Sequence, residues 1–417
     1  MELLGRDVLI GWICMIVSIA LAGCRGDSCC QCPVAVTGPV DIEPRAPRGS
    51  LQVDASDLRP VDEVESDRPA EYRHLTPDEC QCLAAHSAPL ASVMELERSS
   101  GSRHKSSGDA AQSFTRRLTR IRTVNERNRA AAEALKVYYQ LAEAEGKRDL
   151  LAQSLAKIDD SIRQEGELRK QGIAAPSRGA LATERLGMLS ARTKLDASIS
   201  QLNGKLRVIL HLDEHDLTPI WPKADLTMGD DGIDVDEAIS EGLALRPDLA
   251  ALRLMRDSVN ADTLPVIQQS MQMMGATLSV GGKLKTHLLK PSARQAIQDE
   301  IHLRRRQLFQ LYSDAERAAT EEIRQAAIAV DTARRLVALS AEKANQLKSR
   351  NEDLKRLREA GEATPQEIAR GSLDILTADA DLLHDVIQWK LALAKLHEAQ
   401  GQLAADCGYV APCRICP

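Results

Sequence analysis

Apolar residues recur in alternating steps of four and three along the last third of the chain, the heptad spacing of helices that pack along one seam. The spacing predicts one long helix over 292–359, roughly 100 Å at 1.5 Å per residue. Small side chains on the seam would let a neighbouring helix approach closely. The seam runs through Ala326, Val330, Ala333, Val337, Ser340, Ala344, Leu347, Asn351 and Leu354.

The segment after this arm, 366–404, carries two apolar stripes side by side. A helix in a simple hairpin needs only one apolar face, so two stripes predict neighbours on two sides, as in a wall of laterally packed helices. An ordinary helical bundle core would give the same stripes and stays open as an alternative. The first stripe holds Ile375, Ala378, Leu382, Val386, Trp389, Leu393 and Leu396, and the second holds Leu376, Ala380, Leu383 and Ile387.

The chain contains an internal duplication. Residues 75–79 with Pro89 align at an offset of 158 with 233–237 and Pro247, and 168–176 aligns at an offset of 189 with 357–365. Each repeat is predicted to hold a short helix, a slot, a long helix, a Gly-to-Pro turn and a returning helix. The predicted helices are 78–100, 114–170 and 177–209 in the first repeat, and 236–263, 292–359 and 366–404 in the second.

Composition agrees with long helices, because the 417 residues include only ten aromatic ones and 43% hydrophobic ones. The formal net charge of −6, with both signs intermixed, predicts no basic surface for nucleic acid. We therefore expect no nucleic-acid partner.

The segment 1–23 is predicted to be an export signal. The apolar run 8–22 is short for a membrane span, although an uncleaved anchor helix is the alternative. It ends in Leu-Ala-Gly-Cys, which resembles the bacterial lipobox and would make Cys24 the lipid-carrying residue. Arg25 follows in place of the Asp that retains lipoproteins in the inner membrane, so the outer membrane is expected. Residues 24–74, rich in Pro and charge, are predicted to be a disordered linker.

Eight further cysteines form an even set in an oxidising compartment, so disulfides are the leading interpretation. A thiolate metal site at Cys-x-x-Cys and Cys-Gln-Cys is a minority alternative. The pairing cannot be read from spacing. The set is Cys29, Cys30, Cys32, Cys80, Cys82, Cys407, Cys413 and Cys416.

Three local segments resemble the TolC-like outer membrane efflux proteins. They are Ala244-Leu-Arg-Pro-Asp-Leu249, the Arg358-x-x-Gly361 tip, and Leu212-Asp213 leading to Thr218-Pro-Ile-Trp-Pro222. The resemblance covers about 75–405. It implies a mainly all-α fold of duplicated coiled-coil hairpins, of α-barrel type, that assembles as a homotrimer around a periplasmic tunnel. The domains would be repeats 75–211 and 233–405, a connection 212–232 and a Cys-containing tail 406–417.

The chain departs from this family where the membrane strands should lie. The first slot, 101–113, is too short for a strand pair, since each membrane strand needs about 9 to 11 residues. The second slot, 264–291, has room for one small hairpin around Gly281-Gly282 but has no aromatic girdle residue. We therefore expect the membrane β-barrel strands to be missing or vestigial, and attachment to depend on the lipid at Cys24.

By the same resemblance, the two tips would dock a periplasmic adaptor protein that works with an inner-membrane pump, in efflux or type I secretion. The expected docking residues are Gly172, Ile173, Pro176, Gly361, Glu362 and Pro365. Glu367 stands where the family has an acidic residue at the pore entrance, and Arg370 replaces the next acid.

An enzyme is not expected. The segment His211-Leu-Asp-Glu-His215 matches a zinc-peptidase pattern, but it lies at a helix end without a third ligand, so a chance match is favoured and no cofactor or metal is predicted. Three hypotheses remain: an efflux duct, a non-conducting lipid-anchored coiled-coil spacer, and a metal-binding module.

Overall fold

The chain is mainly helical, as the sequence predicts. The computed structural model describes residues 71–100, 109–171, 178–213, 215–228, 232–273 and 291–411. Within these ranges it contains ten helices and two strands of three residues each. Most of both slots lies outside the described residues.

The first repeat begins with strand β1, Arg73–Leu75. Its four helices are α1 Pro77–Ser87, α2 Pro89–Ser100, α3 Asp109–Lys170 and α4 Arg178–Ile209. The prediction of a single helix over 78–100 was wrong, because Ala88 leaves the helical conformation, with ψ 111°. Proline disfavours the helical conformation in the residue before it, so one helix ends before Ala88 and the next begins at Pro89.

The second repeat follows strand β2, Ile220–Pro222, and has the same break, at Arg246-Pro247. Here the predicted helix 236–263 is also divided, and helix α7 occupies the first part of the second slot. The helices are α5 Val235–Leu245, α6 Pro247–Asp257, α7 Leu264–Met273, α8 Pro291–Glu359, α9 Pro365–Gln400 and α10 Gln402–Asp406. The starts of α1 and α5 differ by the first offset of the duplication, and the ends of α3 and α8 differ by the second.

The long helices form a layer in the lateral order α4, α3, α9, α8. Helix α9 packs on both α3 and α8, and α4 packs on α3. Neighbours run antiparallel: His384 of α9 hydrogen-bonds Glu143 of α3, and farther along Asn128 donates to the Glu398 carbonyl. The two apolar stripes of α9 therefore have the two neighbours that the sequence predicts.

Shorter helices pack against one half of the two longest helices, α3 and α8. Helices α1 and α2 pack on α3 at the end where α4 stops, and α5 and α6 pack on α8. A large core cluster joins the middle of the layer, and a second one joins the first turns of α3 and α8 through α6 and α7. No helix among the described residues is long and apolar enough to cross a membrane.

The connection between the repeats is tied to the start of the first. Strands β1 and β2 pair in parallel, with Arg73 opposite Ile220 and Leu75 opposite Pro222. The hydroxyl of Tyr138 on α3 donates to the Leu75 carbonyl at 2.9 Å, which holds this pair against the long helix.

Candidate functional site

The second hairpin tip is built by a glycine. Gly361 has φ 81° and follows the last turn of α8. The Glu362 N–H donates to the Leu357 carbonyl at 2.8 Å, and the Gly361 N–H donates to the Arg358 carbonyl at 2.9 Å. These are the two bonds of a Schellman motif, which needs a left-handed residue. The turn ends α8 and leaves Gly361 and Glu362 exposed.

The next helix starts with a capping box at the tip. The Glu367 N–H donates to the Thr364 hydroxyl, and the Glu367 carboxylate accepts from the Thr364 N–H at 2.8 Å. Pro365 occupies the first helical turn. Hydrogen bonds from the backbone and hydroxyl of Thr364 hold the pKa of Glu367 below its usual value of 4.5. The structure thus gives this acid a local capping role, and Arg370 is exposed on the following turn.

The first tip residues, Gly172, Ile173 and Pro176, lie outside the described residues. What surrounds them corresponds to the second tip: α3 ends at Lys170, at the same aligned position as Glu359 in α8.

Helix α4 presents a long uncharged stripe to solvent. These exposed residues recur in steps of four and three on the side opposite buried Leu206: Gly179, Thr183, Leu186, Ser190, Thr193, Ala197, Gln201, Gly204 and Val208. The hydroxyls of Thr183 and Thr193 donate to the carbonyls of Gly179 and Leu189, at 2.8 and 3.0 Å. The hydroxyls of these two threonines are therefore satisfied within the helix, and the face carries no charge. We call it the α4 stripe.

Helix α8, at the other edge of the layer, also exposes apolar side chains. Ile328 is 55% exposed and Leu339 is 62% exposed, while Val337 between them is fully buried toward the layer. Ile328 and Leu339 are about three turns apart, so both lie on the outer side of the helix. Both edges of the four-helix layer thus carry apolar surface that this single chain leaves open.

Arg246 lies between α5 and α6 and holds this junction against α8 and α9. No role for this residue was predicted from the sequence. Its guanidinium donates to Glu322 on α8 at 2.6 Å, to the Ala399 carbonyl at 2.9 Å and to Asp248 at 2.7 Å. Burial alone would lower the pKa of Arg246, but the hydrogen bonds and charges of Asp248 and Glu322 raise it above the usual value. The signal was the Arg-Pro-Asp sequence, in which arginine precedes the break and aspartate opens the next helix.

Gly401 makes room for this junction. It ends α9 with φ 75°, and a Cβ there would lie 3.2 Å from the Cα of Arg246. In the first repeat the corresponding break is fastened from α3, where Arg127 donates to the Ala85 carbonyl at 2.7 Å and to Glu95 at 3.0 Å.

Two of the candidate cysteines are joined. Cys82 on α1 and Cys407 after α10 form a disulfide with a Cα–Cα distance of 5.3 Å. Cys80 is a buried free thiol within the described part, and burial raises its pKa to about 12. The remaining candidates, Cys29, Cys30, Cys32, Cys413 and Cys416, lie outside the described residues, as does Cys24.

The two histidines of the zinc-peptidase pattern, His211 and His215, do not lie on a helix. Helix α4 ends at Ile209, and His211 beyond it has φ 50°. Two imidazoles four residues apart share a face only on a helix, so the spacing has lost its geometric basis. Among the described residues no three His, Cys, Asp or Glu side chains are grouped as a metal site would need.

Comparison with known proteins gives matches only by structure. No protein-family model matches the chain, and no curated protein matches it. The CmeC outer membrane channel of Campylobacter jejuni matches with a TM-score of 0.54 over 92% of this chain and 95% of that one, at 12% identity. The open state of the Neisseria gonorrhoeae MtrE outer membrane channel matches with a TM-score of 0.56 at 12% identity, over 78% and 89% of the two chains.

A membrane protein from Pseudomonas aeruginosa is also similar, with a TM-score of 0.53 at 17% identity over 70% of each chain. The chain has the fold of the TolC-like outer membrane channels. At these identities the likeness establishes the fold, and it confirms the all-α hairpin architecture that the sequence resemblance implies. CmeC and MtrE, which share this fold, are both outer membrane channels.

Proposed function

We propose that three copies of this chain assemble side by side into a helical duct in the periplasm, which conducts solutes in efflux or type I secretion. A lipid on Cys24 would hold the duct at the outer membrane. The tips around Gly172–Pro176 and Gly361–Pro365 would dock a periplasmic adaptor, which links the duct to an inner-membrane pump.

The observation that carries the proposal is the α4 stripe. Exposed helix faces are normally charged, and 27% of this chain is Asp, Glu, Lys or Arg. A face that stays uncharged from Gly179 to Val208 is the kind of surface that another helix covers, since small residues permit close packing.

The position of the α4 stripe at one edge of the layer supports an assembly in which copies stand side by side. In a ring of three copies that all point in one direction, each copy contacts two neighbours, so the α4 edge of one copy would meet the α8 edge of the next. Head-to-tail contacts give a closed ring when the rotation between copies closes on itself, and we propose that it does so here. Three as the number of copies, and the adaptor at the tips, follow from the family resemblance.

A matched pair of variants tests the assembly. Ala197 lies in the α4 stripe and Ala191 lies outside it, and both are exposed in the single chain. We expect Ala197→Arg to convert a trimer into monomers, measured by light scattering in detergent, and Ala191→Arg to leave the trimer intact. Circular dichroism of both variants should show unchanged helix content.

End-on electron microscopy of the wild-type protein completes the test. A three-fold hollow cylinder about 100 Å long, the reach of α8, is the expected view. A monomeric or solid rod would overturn the duct and favour the lipid-anchored spacer.

A further inference from the structure

Arginines concentrate at the end of the molecule opposite the tips. Eight of them lie near the end of α2 or in the first turns of α3 and α8, and we call this set the arginine collar. Its members are Arg98, Arg116, Arg117, Arg120, Arg122, Arg294, Arg305 and Arg306.

The two repeats place their collar arginines at the same height. Arg116 on α3 and Arg305 on α8 occupy aligned positions, because they differ by the same offset as the last residues of these helices, Lys170 and Glu359. Each lies about 80 Å from its tip along the helix. The first turns of α3 and α8 also share one core cluster, so the two groups of arginines belong to one packed end.

The collar arginines have no carboxylate partner among the described residues. Two acids at this end are paired with other cations: Glu95 with Arg127 at 3.0 Å, and Glu300 with Arg304 at 2.5 Å. Arg305 donates instead to the backbone carbonyl of Val259 at 3.0 Å. Burial of the unpaired Arg122 lowers its pKa below the usual 12.5, a cost that a nearby anion would offset.

In the parts of the long helices nearer the tips, basic side chains do have acidic partners. There, cations commonly meet an acid of the adjacent helix, as in Arg148 with Asp196, Arg185 with Asp159 and Lys343 with Asp381, at 2.6 to 2.8 Å. The collar is thus a local surplus of positive charge in a chain of net charge −6. Apolar side chains stand out at the same end, with Leu96 69% exposed and Phe309 60% exposed.

We propose that the arginine collar binds a membrane surface of anionic, phosphate-bearing lipids. Guanidinium groups donate two parallel hydrogen bonds to phosphate oxygens, and basic residues near an anionic leaflet are attracted to it. Leu96 and Phe309 would enter the head-group layer beside them, as apolar residues of surface-bound helices do. The collar then presses one end of the body against the membrane and points the tips away from it.

Vesicle flotation tests this with the full chain carrying Cys24→Ser, so that no acyl chain contributes. Vesicles of phosphatidylcholine alone give the background, and vesicles with about one third phosphatidylglycerol add the anionic surface. We expect binding to the anionic vesicles to be about tenfold tighter or more, and to weaken as salt approaches about 0.15 M. The variant R116Q/R117Q/R120Q/R305Q/R306Q should lose this increment.

The matched control R163Q/R324Q/R335Q/R356Q/R358Q removes the same charge from the arms nearer the tips and should keep the increment. Circular dichroism should show that both variants remain folded. Equal binding to the two kinds of vesicle, or equal loss in both variants, would overturn the proposal, as would full competition by inorganic phosphate at the concentration of the lipid phosphate. The readout does not depend on trimers, so a monomeric Ala197→Arg chain should bind in the same way.

Discussion

Cys82 in the first helix and Cys407 after the last one are joined by a disulfide across 325 residues of sequence. The bond lies beside a second tie between the same segments, in which the Gln81 amide donates to the Leu403 carbonyl at 2.9 Å. The beginning of the first repeat and the end of the second are therefore fastened directly to each other.

Removing this bond should lower the free energy of unfolding by about 2–5 kcal/mol, because the unfolded chain regains the freedom that the link removes. The measurement is guanidinium unfolding of Cys82→Ser against wild type. Dithiothreitol should bring wild type down to the level of the variant and leave the variant unchanged. A wild-type protein that is insensitive to reduction would contradict the role.

Two glycines should respond to alanine with opposite signs. Gly361→Ala forces a Cβ into the left-handed region and should cost about 1 kcal/mol of stability, although no atom lies within 4 Å of that Cβ. Gly187→Ala, at an open position inside α4, should add about 0.5–1 kcal/mol. Thermal unfolding of both variants checks this, and equal signs would refute the turn argument.

Arg246→Met should destabilise the protein by about 2 kcal/mol, because charge-assisted hydrogen bonds to three partners at the α5–α6 junction are lost while the acceptors stay partly hydrated. Arg324→Met is the control, since Arg324 pairs only with exposed Glu321 on its own helix and such pairs contribute about 0.5 kcal/mol or less. Denaturant unfolding measures the stability lost in each variant. Equal losses would mean that the Arg246 contacts contribute no more than a surface ion pair.

Thr364→Ala should raise the pKa of Glu367 toward 4.5, as followed by NMR titration, because the two hydrogen bonds that lower it come from Thr364. A carboxyl whose pKa is depressed in the folded state stabilises the fold above its ordinary pKa and loses that contribution as pH falls through the folded value. The stability difference between wild type and Thr364→Ala should therefore shrink below pH 4.5. A Glu367 pKa that does not move would exclude the capping box in solution.

Sequence patterns predicted the long arms well because their signals are local and repeated. The heptad seam and the Gly-to-Pro punctuation place the end of α8 at Glu359, where the structure has it. The breaks at Pro89 and Pro247 were missed because apolar periodicity continues across them, although the residue before a proline carries the signal.

The α4 stripe and the arginine collar could be recognised only once the fold was known. The α4 stripe consists largely of glycine, serine, threonine and alanine, which look ordinary until the opposite side of the helix is known to be buried. Likewise, the net charge of −6 describes the whole chain and gives no sign of a local cluster such as the arginine collar. Its members belong to different repeats, and only the packing of α3 and α8 against α6 brings them to one end.

The α4 stripe also has a mechanical consequence. Register between helices is set by large knobs and by charges that must meet their partners, and the stripe has neither over most of its length. In the proposed assembly a neighbouring helix could shift along it by one turn, about 5.4 Å, and still meet small uncharged residues. In the proposed duct this edge would therefore permit small axial shifts between copies, while the Arg246 contacts and the Cys82–Cys407 bond tie together the helices of the opposite half within each copy.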